Sequence, residues 1–140
     1  MILLDTNVIS ELMREAPAAP LTEWIGARDS SVFATTSLTQ AEILHGVLML
    51  PAGRRRDAIA RAAQAMFSED LAGRIMPFDS LAAQAYAEIV TDRSRRGRPI
   101  SQFDAQIAAI ARATGAVLAT RNARDFEHCG IGVVNPWTAR

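Results

Sequence analysis

Cysteine is almost missing from this chain. Cys129 is the single thiol in 140 residues, so no disulfide can close within it. A reduced, cytoplasmic setting is the expectation. Long apolar runs are missing too: none approaches the ~20 residues needed to cross a bilayer, and no membrane anchor is expected. No basic segment precedes the short N-terminal apolar run, and Asp5 interrupts that run, so it does not read as a signal peptide. Charge of either sign is not in excess, with Lys+Arg and Asp+Glu at 15 each. Bulk charge therefore gives no support for a nucleic-acid partner, which would have to be met by local arginine patches. Near-neutrality also does little to keep copies of the chain apart, which favours self-association.

Several catalytic signatures are absent as well. There is no Gly-rich phosphate loop and no Gly-x-Ser-x-Gly elbow, and His45 and His128 lack zinc spacing with Cys129. No internal repeat or low-complexity linker appears, and Pro17-Ala-Ala-Pro20 punctuates a turn, not a boundary. The length predicts one domain, residues 1–140, with room for a real core.

What is present is an alternation of apolar strands and amphipathic helices. Ile2-Leu-Leu4 is apolar without alternation, the pattern of a strand buried on both faces of a parallel sheet. Helical spacing follows in Thr6–Arg14, with Thr6 or Asn7 as the expected cap, and again around Leu21, Trp24 and Ile25. Ser31–Thr36 reads as a strand. Ser37–Leu50 reads as a helix opened by a capping box, Ser37 with Gln40 or Thr39 with Glu42. It is apolar nearly all round, so it is expected to be buried or to meet another chain. Further helices are predicted over 53–70, 80–96 (capped by Asp79) and from Ser101 to Gly115. Residues 74–78 form a weak strand that Pro77 pushes to an edge, and 116–120 and 131–134 complete the strand set. Strands separated by helices predict an α/β fold with a parallel sheet covered on both faces.

Four acids then need explaining. Asp5 ends the first strand, Glu42 and Asp104 lie in the opening turns of apolar helices, and Asp125 follows the 116–120 strand. Strand ends and helix starts share one edge of such a sheet, where ligands bind, so these acids are expected to converge. Converging carboxylates repel unless a cation neutralises them, and hard oxygen ligands select Mg²⁺ or Mn²⁺. Such a site activates water for phosphodiester cleavage. Each acid also has a plainer reading. Asp104 and Glu42 can complete helix caps, and Asp125 can cap a turn. Asp5 has little evident structural use.

The arginine clusters 54–56 and Arg93, Arg95, Arg96, Arg98 read as solvated surface, with phosphate positioning as the functional alternative. Arg121 and Arg124 bracket Asn122 near the acids, placed to hold a substrate phosphate or to pair with the acids or a partner. Trp24 and Trp137 read as packing residues.

Leu3-Leu-Asp-Thr-Asn7, Thr36-Ser-Leu-Thr-Gln-Ala-Glu42, Gln102-Phe-Asp-Ala-Gln106 and Ala119–Phe126, in that order, resemble the signatures of a PIN domain. The likeness is to VapC-type toxins, the FitB-like branch in particular, and spans nearly the whole chain. The resemblance implies a three-layer α/β/α fold, a central, mainly parallel sheet of about five strands, and Mg²⁺- or Mn²⁺-dependent endoribonuclease activity. It also implies homodimers bound by a VapB- or FitA-like antitoxin whose C-terminal segment blocks the site, with assembly on operator DNA through the antitoxin. Asp5, Glu42 and Asp104 match the family's metal-binding acids, and Thr6 matches the hydroxyl after the first. Many members have an acid where this chain has Asn122, so either Asn122 or Asp125 completes the set. The alternatives are a catalytically weak PIN-fold scaffold, and an aspartyl-phosphate phosphatase, which Asn7 disfavours because that chemistry needs an acid there.

Overall fold

Leu3 and Leu4 point to opposite sides of one strand, and both are buried. Leu3 joins the core under the later helices and Leu4 the core under the earlier ones. That two-sided burial is why the run shows no alternation. The computed structural model describes residues 1–139. Its strands are β1 (Ile2–Leu4), β2 (Phe33–Thr36), β3 (Ile75–Met76), β4 (Val117–Ala119) and β5 (Val133–Val134). They form one sheet in the order β3-β2-β1-β4-β5, every pairing parallel. In register, Leu3 faces Ala34 on one side and Leu118 on the other. β3 lies at the edge, as Pro77 predicts.

The helices are α1 (Thr6–Leu12), α2 (Ala19–Gly26), α3 (Ser37–Leu48), α4 (Arg54–Ala65), α5 (Ser80–Arg95) and α6 (Gln102–Thr114). Ala82, Ala85 and Ile89 of α5 and Ile107 and Ile110 of α6 cover one face with Leu3 and Leu118. Val8, Ile9, Leu21, Trp24, Ile43, Val47 and Ala63 cover the other with Leu4. This is the expected three-layer α/β/α arrangement.

Local details differ from expectation. Asp5, not Thr6 or Asn7, caps α1, accepting the Thr6 N–H. Thr36 caps α3 through the Thr39 N–H (3.1 Å), so neither expected capping box forms. The 53–70 helix is interrupted: α4 ends at Ala65 and a wider π-type turn, Met66–Asp70, seats Phe67 in the core. Helix α3, expected to be apolar nearly all round, buries Ile43 and Val47 but leaves Leu48 at 65% exposure and its C-cap Met49 at 72%. Asp79 and Ser101 cap α5 and α6 as expected, and Gly115 closes α6 in the left-handed conformation (φ 70°).

The largest departure is Arg93. Expected on the surface, it is 6% exposed. No carboxylate pairs with it among the described residues. Its guanidinium donates to the carbonyls of Arg98 (2.6 Å), Asp125 (3.0 Å) and Glu127 (2.9 Å). A longer contact reaches the Pro99 carbonyl, and another reaches Cys129 Sγ. One cation thus ties the α5–α6 connection to the segment after β4.

Candidate functional site

Because all five strands run the same way, their C-terminal ends and the residues that follow line one edge. Asp5 follows β1 at the centre of that edge and is 5% exposed. Its Oδ1 accepts the Thr6 N–H at 2.8 Å. Its Oδ2 accepts the Thr120 hydroxyl at 2.7 Å, with Asn7 Nδ2 at 3.5 Å. Thr120 stands after β4 as Asp5 stands after β1. Its oxygen also accepts Asn7 Nδ2 (3.2 Å) and the Asn122 N–H (3.1 Å), so its one donor and two acceptor sites are all used. Asn7 Oδ1 in turn accepts the Arg121 N–H at 3.0 Å. On the other side, the Thr6 hydroxyl donates to Glu42 Oε2 (3.1 Å) and lies 3.2 Å from the buried Thr39 hydroxyl.

Asp104, half-buried, sits in the first turn of α6, whose cap Ser101 accepts its N–H. Asp125 lies in the 3₁₀ turn Ala123–Phe126, exposed, with its carbonyl held by Arg93. Asn122 precedes that turn, and its carbonyl accepts the Asp125 N–H. Arg121 and Arg124 are exposed and form no ion pair among the described residues.

The acids sense one another. Burial pushes the Asp5 carboxyl above the ordinary carboxylate range, against the hydrogen bonds from Thr120 and Thr6, and the charges of Glu42 and Asp125 push it further. Burial likewise raises Asp104, opposed by its hydrogen bond with Ser101, with Asp5 and Asp125 adding to the rise and Arg93 opposing it. The four acids expected to converge therefore share one electrostatic neighbourhood. They do not form a ready-made cage: among the described residues, no three His, Cys, Asp or Glu side chains are grouped to hold an ion. Both Asp5 oxygens are occupied by local donors, and Glu42 is turned onto Thr6.

Sequence reasoning missed Thr120, Asn7 and Thr39 as supports of the acids, and Arg93 as the fastener of the Asp125 turn. Thr120 was within reach of the argument used for Asp5, a polar residue directly after a buried strand. Beside Glu42 and Thr6 opens a groove of about 1120 Å³ between α1, α3 and α4, lined by Met13, Ile43, Val47 and Ile59, with Arg14 and Arg55 at its rim.

A family model described as "PIN domain" matches residues 2–131. The chain belongs to the PIN domain family. This PIN domain is 39% identical over 139 residues to the plasmid stability protein StbB of Pseudomonas syringae pv. tomato (99% of this chain, 100% of the relative). It is 38% identical to the VapC ribonuclease Y4jK of Sinorhizobium fredii (98% of each). It is 34% identical to the toxin FitB of Neisseria gonorrhoeae (98% and 99%). Among solved structures, it superposes on a chain of FitAB bound to an IR36 DNA fragment with a TM-score of 0.93 at 34% identity, covering 100% of this chain and 98% of that one. The PIN fold, with its parallel sheet and helices on both faces, is thus shared over the full length.

Proposed function

We propose that this PIN domain is a Mg²⁺- or Mn²⁺-dependent endoribonuclease that acts as the toxin of a toxin–antitoxin pair. One observation carries the reading: Asp5, Glu42, Asp104 and Asp125, spread over 121 positions of sequence, share one end of a parallel sheet, with Asp5 and Asp104 raised by burial and by one another's neighbours. Hard oxygen donors, carrying charge that Arg93 only partly offsets, fit a divalent cation. Asp5, Glu42 and Asp104 would hold it. Asp125 or Asn122 would complete the set: Asp125 brings a charge, and Asn122 is tied to Asp5 through Thr120. When bound, the ion supplies an activated water and neutralises charge at the scissile phosphate. The chain's own task is positioning. Thr120 and the Thr6 N–H fix the Asp5 carboxylate, and Thr6 orients Glu42.

Single-stranded or looped RNA is the substrate class in which a scissile phosphate is accessible. The ribonuclease and toxin names of the relatives support both halves of the reading. The apolar groove beside Glu42 and Thr6 suits the inhibitory segment of a VapB- or FitA-like antitoxin, through which the pair would sit on operator DNA; the similar FitAB is bound to an IR36 DNA fragment. The exposed apolar Leu48 and Met49 suit contact with a second copy. A cytoplasmic setting follows from that role.

The test is expression without the antitoxin. Wild type is expected to arrest growth and cleave RNA in a Mg²⁺-dependent way, and Asp5→Asn to do neither. Undiminished arrest and cleavage by Asp5→Asn would sink the mechanism. Absence of Mg²⁺ binding at millimolar concentration in a calorimetric titration would favour the catalytically weak scaffold.

A further inference from the structure

Arg121 is an exposed cation directly after β4, beside the site. Four exposed arginines, Arg14, Arg96, Arg98 and Arg112, pair with carboxylates, while Arg54, Arg55, Arg61, Arg95 and Arg124 do not among the described residues. Arg121 pairs with none among the described residues, although Asp5 lies only two hydrogen bonds away through Asn7. Its backbone is pinned on both sides, the N–H by Asn7 Oδ1 at 3.0 Å and the carbonyl by Asn135 Nδ2 at 3.5 Å. Its guanidinium lies over the Trp137 ring, 5.0 Å from the centroid. Trp137 is itself held. Its backbone N–H donates to Asn135 Oδ1 (2.9 Å), and its side chain packs on the α1–α4 core cluster.

Stacking fixes the plane of a guanidinium and leaves its N–H edge free for a bidentate anion. The strand order sets where that edge lies. Along the site edge come Glu42 after β2, Asp5 after β1, Arg121 after β4 and Trp137 after β5. An RNA strand whose scissile phosphate lies at the acids would run on, away from the groove, towards Arg121. We propose that Arg121 clamps a backbone phosphate of the RNA next to the cleaved one, with Trp137 as the positioning residue that holds the clamp. This rests on the ribonuclease reading above. It gives the C-terminal turn a part in substrate binding that the packing expectation for Trp137 did not include.

The test is fluorescence anisotropy of the full chain with a fluorescein-labelled, mixed-sequence single-stranded RNA of twelve nucleotides, in EDTA so that the strand stays intact, over a salt series. Arg121→Ala is expected to bind about tenfold more weakly and to lower the salt slope by ~0.7, the loss of one phosphate contact. Trp137→Ala is expected to bind ~2- to 5-fold more weakly, and to have no further effect in the Arg121→Ala background. Trp137→Phe, which keeps an aromatic face, is expected to retain most of the affinity, and Mn²⁺ titration is expected to be unchanged in all three. Arg121→Ala binding RNA like wild type overturns the clamp, even if antitoxin binding falls, which would assign Arg121 to the protein partner. Additive losses for Trp137 and Arg121 overturn the positioning role. Failure of wild type itself to bind RNA removes the ribonuclease reading and the clamp together, and is told apart from the other outcomes by that control.

Discussion

Arg93→Met removes a buried cation while keeping most of the aliphatic stem. Three of its contacts are short, to the carbonyls of Arg98, Asp125 and Glu127 at 2.6, 3.0 and 2.9 Å. Hydrogen bonds involving a charged partner contribute about 1.5–3 kcal/mol each, so the gross loss is about 4.5–9 kcal/mol. The net loss is smaller for two reasons. The three carbonyls belong to connecting segments that water can reach once the guanidinium is gone, and methionine avoids the desolvation cost of an arginine with no carboxylate partner. A carbonyl that loses its donor costs about 1–3 kcal/mol, and at the lower end for three partly wetted carbonyls the net loss is about 3 kcal/mol. With a urea dependence of ~2 kcal/mol per molar, the unfolding midpoint is expected to fall by ~1.5 M with unchanged slope. Arg93→Lys, a point charge without the planar fork, is expected to recover less than half of the loss. Hydrogen exchange is expected to show the loosening concentrated in the 123–129 segment. A loss below about 1 kcal/mol for Arg93→Met would refute the fastener role.

Two further outcomes follow. Asp5 and Asp104 both have folded-state values raised above the ordinary 3.8. Their contribution to stability is therefore fully present below about pH 3.8 and is lost as pH rises through the elevated values. Asp5→Asn is thus expected to match wild type in EDTA at low pH and to become progressively more stable than wild type towards pH 7. A flat difference between the two over that range would refute it. Gly115→Ala is expected to cost about 1–2 kcal/mol in thermal or urea unfolding. The reason is conformational alone, since φ is +70° and an added Cβ meets nothing within 4 Å. An unchanged midpoint would count against it.

Much of the fold was legible because burial leaves a pattern. The unalternated aliphatic run 2–4 read as a strand buried on both faces, 116–120 as another strand, and Pro77 as the mark of an edge, and the sheet has them so. The acids were legible for a related reason: Asp5 stands directly after a buried strand, where charge is costly. Even so, its structural use was missed, because a carboxylate can cap a helix and serve a site with the same oxygens. The caps of α1 and α3 were misplaced by one to three residues, since serine, threonine and aspartate at neighbouring positions offer the same acceptor chemistry and only backbone geometry selects among them. Arg93 was not legible at all. Its neighbours in sequence are surface arginines, and its burial is decided by carbonyls up to 34 positions away. No local pattern records that kind of demand.

The first strand of the chain is the middle strand of the sheet. Ile2–Leu4 is made early, but one of its two neighbours, β4, is made more than a hundred residues later. The Asp5 N–H waits for the Ala119 carbonyl, and the Asp5 carboxylate waits for the Thr120 hydroxyl. An interrupted translation product therefore carries Asp5 and Glu42 without the strand that seats them. On the ribonuclease reading proposed above, this order of synthesis would act as a safeguard. A chain cut short before β4 would lack the Ala119 carbonyl and the Thr120 hydroxyl that hold Asp5, and with them the assembled site.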